Sequence, residues 1–138
     1  MAKDKFHESV KQALIKEQWT ITHDPLRIEF GEEDKIQIDL GAKQILGAER
    51  TGQKIAVEIK SFLNDSAMFD FHLALGQFLN YRLVLEEIEP ERILYLAIPL
   101  TAYQSFFLRD LPKAAIQRYE LKLLVYDPMN EAIVKWIN

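Results

Sequence analysis

The opening segment of the chain changes from helical to strand spacing of its apolar residues. Helical spacing holds over residues 4–17, with lysines and glutamines between the apolar positions, and predicts an amphipathic helix. Two short apolar segments follow, over residues 19–22 and 26–30, and the Asp24-Pro25 turn separates them. We therefore expect one helix and then two short strands.

The next segments alternate between apolar and polar positions, which is typical of half-buried strands. Residues 36–40 alternate strictly and predict a third strand. Residues 44–50 and 54–62 predict a hairpin whose turn is formed by residues 51–53. The pattern thus predicts that several strands follow the first helix and precede the next one.

The second half of the chain begins with a long apolar segment after a helix-start signal. The Asn64-Asp65-Ser66 sequence precedes a predicted helix over residues 67–87, whose apolar residues are too widely distributed for one face. We expect two faces of this helix to be covered.

The remaining predicted elements are a strand over 92–99, a helix over 101–108, a helix from Asp110 to about Tyr119 with Pro112 in its first turn, and strands over 122–126 and 132–136. Helices packed on a sheet are the natural arrangement for this order, so we predict an α/β (α+β) fold with a central mixed sheet flanked by helices.

Length, composition and charge narrow the class of protein. The 138 residues, 49% hydrophobic and 28% charged, predict one soluble globular domain over residues 1–138. Cysteine is absent, which excludes a disulfide framework and a thiolate metal site. The N-terminus is unlike a signal peptide and the longest apolar run, residues 93–100, is too short for a membrane span, so we expect a cytoplasmic protein. The net charge of −4 disfavours a protein that grips DNA alone and favours a partner that supplies affinity for DNA.

An acid and a lysine interrupt the apolar strand predicted over residues 54–62. Glu58 and Lys60 project to the same face because strand side chains alternate, and Asp39 is a second acid on an earlier predicted strand. Such groups are unfavourable on an apolar strand unless they pair, bind a metal or perform chemistry. Two carboxylates and a lysine are what a magnesium-dependent site for phosphodiester cleavage needs. A buried ion-pair network without chemistry is the alternative.

These residues and the order of elements resemble the PD-(D/E)XK phosphodiesterase superfamily, which has the restriction-endonuclease-like fold. Asp39 matches the acid on the second strand of that family, and Glu58 and Lys60 match its acid-x-lysine pair on the third strand. Ile38 stands where the family often has a proline. The resemblance implies that Asp39 and Glu58 hold Mg²⁺ or Mn²⁺. It also implies that Lys60 positions the attacking water or stabilises the charged transition state.

Three further residues match a subset of that superfamily. Glu8 in the first predicted helix matches an acid that the subset carries there, and Gln77 and Tyr81 match its Gln-x-x-x-Tyr sequence in the following helix. Gln77 and Tyr81 are four residues apart, so they share one helix face. The resemblance implies a water-mediated metal contact from Glu8, and it implies that Gln77 orients Lys60 or a DNA phosphate. The alternatives are a solvated first-turn acid for Glu8 and the polar edge of a packed helix for the other two.

Nearly the whole chain is also similar to a narrower group, the cyanobacterial fdxN-element excision controlling factors of the XisH type. Five short motifs carry the similarity, at residues 6–11, 19–26, 47–50, 57–62 and 75–82. Proteins of that group are implicated in the excision of a DNA element by a site-specific recombinase, together with a companion factor, XisI. The resemblance implies DNA, XisI and the recombinase as partners, and it leaves open whether the protein cuts DNA itself.

The sequence leaves three hypotheses about function open. The first is an accessory excision factor with an endonuclease-like site that uses Mg²⁺ or Mn²⁺, acting in a protein complex. The second is a non-catalytic adaptor that keeps the fold and binds XisI or the recombinase through helix surfaces. The third is a toxin whose companion is its antidote. We also expect a homo-oligomer, because monomers rarely leave large apolar patches uncovered.

Overall fold

The fold is a six-stranded sheet with helices on both faces and a separate two-stranded hairpin. The computed structural model describes residues 4–46 and 51–138. The helices are α1 (His7–Lys16), α2 (Ala67–Ile88), α3 (Leu100–Ala102), which continues into a π-helical turn over Tyr103–Phe107, and α4 (Asp110–Arg118). The strands are β1 (Thr20–His23), β2 (Leu26–Phe30), β3 (Asp34–Ile38), β4 (Leu40–Leu46), β5 (Thr51–Ile59), β6 (Arg92–Pro99), β7 (Leu123–Asp127) and β8 (Ala132–Ile137).

Helical crossovers join the parallel strands of the large sheet. The strand order is β1-β4-β5-β6-β7-β8, and among the described residues β2 pairs only with β3. β4 and β5 pair antiparallel, whereas β5, β6 and β7 pair in parallel. Parallel neighbours need a crossover of about a dozen residues or more, and α2, and then α3 with α4, supply these crossovers. The prediction of an α+β fold with a central mixed sheet flanked by helices is confirmed.

Side chains alternate along β5 between two apolar cores. Ile55, Val57 and Ile59 pack with α1 in one core. Ala56 packs with α2 in the other core. Glu58 has the same parity as Ala56, so its side chain leaves the sheet on the α2 side. This alternation decides which face of the sheet carries the acid of β5.

The long helix α2 buries one face and exposes apolar residues on another. Ser66 caps the helix as predicted, since its hydroxyl accepts a hydrogen bond from the Phe69 N–H at 3.1 Å. Phe78 is buried in the core. In contrast, the side chains of Phe69, Leu73 and Leu83 are each more than half exposed. The expectation of two covered faces is therefore wrong within a single chain. Among the described residues, no helix has the length and apolar character needed to cross a membrane.

The strand predicted over residues 36–40 is interrupted near its end. β3 ends at Ile38, Asp39 forms a bend, and β4 begins at Leu40. The N–H and the carboxylate of Asp39 both bond to residues of β5, so Asp39 does not continue the ladder between β2 and β3. Hydrogen bonds to a strand distant in sequence thus override the local alternation.

The hairpin between β4 and β5 is confirmed, but its predicted turn is wrong. Residues 51–53 lie inside β5 and pair with residues 44–46 of β4. The predicted turn residues are therefore part of the ladder. The connection, which includes the last residues of the strand predicted over 44–50, falls in residues 47–50, outside the part of the chain that the structure describes.

Candidate functional site

The bend at Asp39 brings two carboxylates together. Leu40 pairs with Val57 in the β4–β5 ladder, so the residue before Leu40 lies beside Glu58. The Asp39 N–H donates to Oε1 of Glu58 at 3.3 Å. Oδ2 of Asp39 accepts a hydrogen bond from the Ile59 N–H at 2.7 Å. These two bonds hold both acidic side chains at the end of β5.

Lys60 lies directly after β5 and contacts the second acid. Its N–H donates to the Ala97 carbonyl at 3.0 Å, which extends the pairing between β5 and β6. Its Nζ lies 3.4 Å from Oε2 of Glu58. The side chain of Lys60 is 27% exposed and that of Glu58 is 8% exposed. The ammonium group is therefore reachable from solvent, while the carboxylate is largely enclosed.

The helix α2 adds an amide and a phenol to the same place. Gln77 and Tyr81 lie one turn apart and line the cavity that contains the two acids. Oε1 of Gln77 is buried and has no hydrogen-bond partner among the described residues. Burial raises the pKa of Tyr81, and the negative charges of Glu58 and Asp39 raise it further. The phenol therefore stays protonated and offers a hydrogen-bond donor beside the acids.

One cavity of about 450 Å³ is lined by all five residues that the sequence analysis assigned to catalysis. These residues are Asp39, Glu58, Lys60, Gln77 and Tyr81. They come from three places in the chain: the bend between β3 and β4, the end of β5, and the middle of α2. The convergence that the nuclease interpretation requires is present, while the role of each side chain stays a prediction.

Glu8, predicted to contact a metal through water, is not brought to this cavity. Its side chain is exposed, and its Oε1 accepts a hydrogen bond from Gln12 at 3.1 Å. Asp4 and His7 line the cavity instead. A helix turns about 100° per residue, so His7 and Glu8 point in different directions. The segment is the predicted one, but the side chains at the cavity are different.

A hydrogen-bonded group around Asp24 also borders the cavity and was not predicted. Nε2 of His7 lies 2.7 Å from Oδ1 of Asp24, and Nζ of Lys11 lies 2.8 Å from Oδ2. Burial alone raises the pKa of Asp24, but the hydrogen bonds from Lys11 and His7 outweigh it and hold the pKa below its usual value. His7 and Lys11 are four residues apart on α1, and this spacing is the signal that the sequence offers for a shared partner.

Asp4 ties the start of α1 to the backbone that carries Lys60. Its Oδ1 accepts a hydrogen bond from the Phe6 N–H at 2.9 Å, and its Oδ2 accepts one from the Ser61 N–H at 3.0 Å. Lys60 is thus held on one side by β6 and on the other by this carboxylate. Because Asp4 and Ser61 are 57 residues apart, local spacing contains no signal for this contact.

Burial raises the pKa values of both carboxylates. Burial is the largest cause that raises the pKa of Glu58, and the charge of Asp39 raises it further, to about 8, although Lys60 opposes the shift. Burial also raises the pKa of Asp39, against the hydrogen bond from the Ile59 N–H. At about pH 7 the pair therefore carries less negative charge than two free carboxylates do.

The donor set suits a hard divalent cation. Mg²⁺ prefers oxygen ligands and is often held by one or two carboxylates, with waters and phosphate oxygens around it. Asp39 and Glu58 supply such a pair, and a cation at their oxygens would oppose the burial and the charge repulsion that raise the pKa of Glu58. Among the described residues, no group of three or more His, Asp and Glu side chains is close enough to hold an ion. The residues present fit Mg²⁺ or Mn²⁺ and do not form a closed zinc site.

The comparisons with known proteins point to one family. The family model described as XisH protein matches residues 1–134. A solved XisH family protein from Nostoc punctiforme is 50% identical, covers 98% of this chain and 100% of its own, and has a TM-score of 0.86. A solved fdxN element excision controlling factor protein from Anabaena variabilis is 52% identical, covers 99% of this chain and 100% of its own, and has a TM-score of 0.88. No protein with a curated description matches significantly. Because the family model spans nearly the whole chain and both solved relatives share the fold and half of the residues, the chain belongs to the XisH family.

Proposed function

We propose that this chain is an accessory factor for the site-specific excision of a DNA element and carries an endonuclease-like site that uses Mg²⁺ or Mn²⁺. The excision role is supported by the Anabaena variabilis relative, which is named an fdxN element excision controlling factor. The catalytic role rests on one observation: Asp39 and Glu58 meet in a solvent-reachable cavity, with Nζ of Lys60 3.4 Å from Glu58.

The arrangement of elements supports a restriction-endonuclease-like fold of the PD-(D/E)XK type as part of this proposal. The two acids come from the start of β4 and the end of β5, which are neighbours in the sheet. Lys60 lies two residues after Glu58 and on the same side. The helix that follows, α2, carries Gln77 and Tyr81 to the same cavity. The two acids, the lysine and the Gln-x-x-x-Tyr pair of the pattern therefore have counterparts at one cavity, whereas Glu8 does not reach it.

Each of these side chains has a separate role in the proposed phosphodiester hydrolysis. A bound divalent cation supplies charge neutralisation at the phosphate and acidifies the attacking water. Asp39 and Glu58 would hold this cation through their carboxylates. Lys60, whose side chain is 27% exposed, would hold the attacking water or stabilise charge that develops on the phosphate. The Gln77 amide, whose Oε1 is buried and has no hydrogen-bond partner among the described residues, would orient Lys60 or a DNA phosphate once substrate is bound, and the protonated Tyr81 hydroxyl is a hydrogen-bond donor that lines the same cavity.

Calorimetric titration with Mn²⁺ and with Mg²⁺ tests the metal site. The wild-type protein should bind each ion, and Asp39→Asn and Glu58→Gln should each lose the response because each removes one of two anionic ligands. Glu8→Gln is the matched control, since Glu8 is an exposed acid outside the cavity, and it should titrate like the wild type. An equal metal response in all four proteins would remove the site.

A plasmid nicking assay, with the companion factor XisI present, tests activity. The companion is included because the net charge of −4 makes strong solitary binding to DNA unfavourable. The wild-type protein should nick the plasmid when Mg²⁺ is added, and Lys60→Ala should bind metal without nicking. Metal binding by the wild type without any nicking would reject the catalytic part of the proposal and leave the excision role.

A second candidate function is a non-catalytic adaptor, favoured by the exposed apolar side of α2. Phe69, Leu73 and Leu83 are each more than half exposed, and such surface is typical of protein contacts. The adaptor would bind XisI, the recombinase or a second copy in a homo-oligomer. An excision assay in cells separates the two functions, since full excision with Lys60→Ala favours the adaptor and loss of excision favours the enzyme. We propose a cytoplasmic location for either function, because excision takes place where the DNA element is.

A further inference from the structure

A second cavity continues the candidate active site along the hairpin of β2 and β3. Its volume is about 360 Å³, and Arg27, Gln37 and Tyr81 line both cavities. Lys35 and Ile36 line the remainder of the second one. The two cavities form one groove, acidic at the end near β5 and basic at the end along the hairpin.

The register of the hairpin places alternate polar side chains along this groove. Arg27 lies directly opposite Gln37, and Glu29 lies opposite Lys35. Ile28, between Arg27 and Glu29, is buried, whereas its partner Ile36 is half-buried and lines the second cavity. Nε of Arg27 donates a hydrogen bond to Oε1 of Gln37 at 3.2 Å, which holds the guanidinium group at the groove. Arg27 and Lys35 are both exposed to solvent.

The two cations of the hairpin are available to an anionic ligand. Within residues 4–46 and 51–138, neither Arg27 nor Lys35 forms an ion pair, although Glu29 lies opposite Lys35 in the ladder. Lys11 and Lys60, which border the acidic cavity, do form ion pairs. In a chain with 21 acidic and 17 basic residues, neighbouring cations without carboxylate partners favour an external anion.

We propose that this basic ledge, formed by Arg27, Lys35 and Gln37, binds the sugar–phosphate backbone of a DNA strand beside the phosphodiester bond at the two acids. The inference rests on the proposed function, because it describes how the DNA strand continues along the hairpin from the cleavage site. Lys35 and Gln37 are two residues apart on one strand face, about 7 Å, which is comparable to the separation of neighbouring phosphates on one strand. The guanidinium fork of Arg27 matches phosphate oxygens.

The tip of the same hairpin limits the length of this contact. Beyond the ledge the chain turns through Glu32, Glu33 and Asp34, which are all exposed. Like charges repel the phosphate backbone there. The bound strand therefore contacts the hairpin through one or two phosphates and then leaves it, which agrees with a protein whose net charge is negative.

Fluorescence anisotropy with a labelled single-stranded DNA oligonucleotide tests the ledge on the full chain, in chelator so that no cleavage occurs. Arg27→Gln and Lys35→Gln should each weaken binding roughly three- to tenfold at low salt and lower the slope of log affinity against log salt by about one. The matched control is Lys113→Gln, at an exposed lysine on α4, and this variant should bind like the wild type.

Urea unfolding verifies that each variant is folded. Wild-type affinity and salt slope in the Arg27→Gln, Lys35→Gln double variant would overturn the proposal, and so would a wild-type protein that binds no oligonucleotide at low salt.

The metal response of the wild type separates the failure of this inference from the failure of the proposed function, because the ledge contains neither Asp39 nor Glu58. Weaker binding by the ledge variants, together with no metal response in the wild type, would support the ledge and reject the cleavage site. A normal metal response together with unchanged oligonucleotide binding by the ledge variants would reject the ledge and keep the site.

Discussion

Replacing Glu58 with glutamine should remove most of the dependence of stability on pH between about pH 5 and about pH 8. The pKa of Glu58 in the folded protein is about 8, against an ordinary value of 4.5, because burial and Asp39 disfavour its ionised form. The unfolded chain therefore releases this proton near the lower value and the folded chain near the higher one. The contribution of Glu58 to the free energy of unfolding is therefore fully present below the lower pKa, and it is lost as the pH rises through the higher pKa.

The size of the effect follows from the separation of these two pKa values. Each pKa unit corresponds to about 1.4 kcal/mol, so the interval from 4.5 to about 8 gives an upper bound of roughly 5 kcal/mol. Water entering the open cavity stabilises the ionised carboxylate, so we expect a measured decrease of about 2–3 kcal/mol. Asp24 acts outside this interval, because its pKa is held below its ordinary value of 3.8.

Urea unfolding in the presence of chelator measures the effect. The wild type, Glu58→Gln and the control Glu8→Gln should be compared at about pH 5, 6.5 and 8.5. The wild type and Glu8→Gln should lose stability as the pH rises, whereas Glu58→Gln should change little. Excess Mg²⁺ at the highest pH should restore the wild type and not Glu58→Gln, because an ion that binds only the native state stabilises it.

Two results would refute this reasoning. Parallel pH profiles for the wild type and Glu58→Gln would show that Glu58 is already ionised in the folded protein near pH 5. A wild-type profile that is flat over this interval and rises only below the ordinary pKa of 4.5, a rise that Glu58→Gln removes, would show that pairing with Lys60 outweighs burial and the charge of Asp39. Either result would refute the conclusion that burial and the charge of Asp39 keep a proton on Glu58.

Three other substitutions have defined outcomes in urea unfolding. Ser66→Ala removes the hydroxyl that accepts the Phe69 N–H and should lower the free energy of unfolding by about 1 kcal/mol; no change would show that solvent caps α2 equally well. Phe107→Ala empties a site that is 0% exposed and should cost about 3–5 kcal/mol; a cost below about 1 kcal/mol would show that the core collapses around it. Gln77→Leu should raise stability by about 1 kcal/mol, because it removes a buried oxygen that has no hydrogen-bond partner in the described part of the chain, while it lowers nicking. A loss of stability in Gln77→Leu would show that this oxygen is bonded to water.

Local signals in the sequence were sufficient for most elements of the fold. The Asn64-Asp65-Ser66 start signal and the apolar length after it identify α2, because a hydroxyl cap acts on residues three positions away. The strand over Arg92–Pro99 is identified by its continuous apolar run, as a strand covered on both faces requires. Both rest on interactions within a few residues of each other.

The candidate site was predicted only in part. Glu58 and Lys60 were placed on one side from the alternation of β5 alone. Their meeting with Asp39 depends on the β4–β5 register and on a bend held by hydrogen bonds across 19 and 20 residues, which no local pattern contains. The choice of His7 rather than Glu8 at the cavity depends on the rotation of α1 about its axis.

From the sequence alone one can infer the order of the helices and strands, the family, and the residue types available for chemistry. These inferences use periodicity, helix caps and short motifs, which are local properties of the chain. The tertiary structure alone decided which side chains share the cavity. It set the rotation of α1 by burying Val10 and Leu14 against the sheet, and it brought Asp4 to Ser61. It also joined the acidic cavity to the hairpin of β2 and β3. These placements result from packing and hydrogen bonds between segments far apart in sequence, where spacing along the chain carries no information about distance in space.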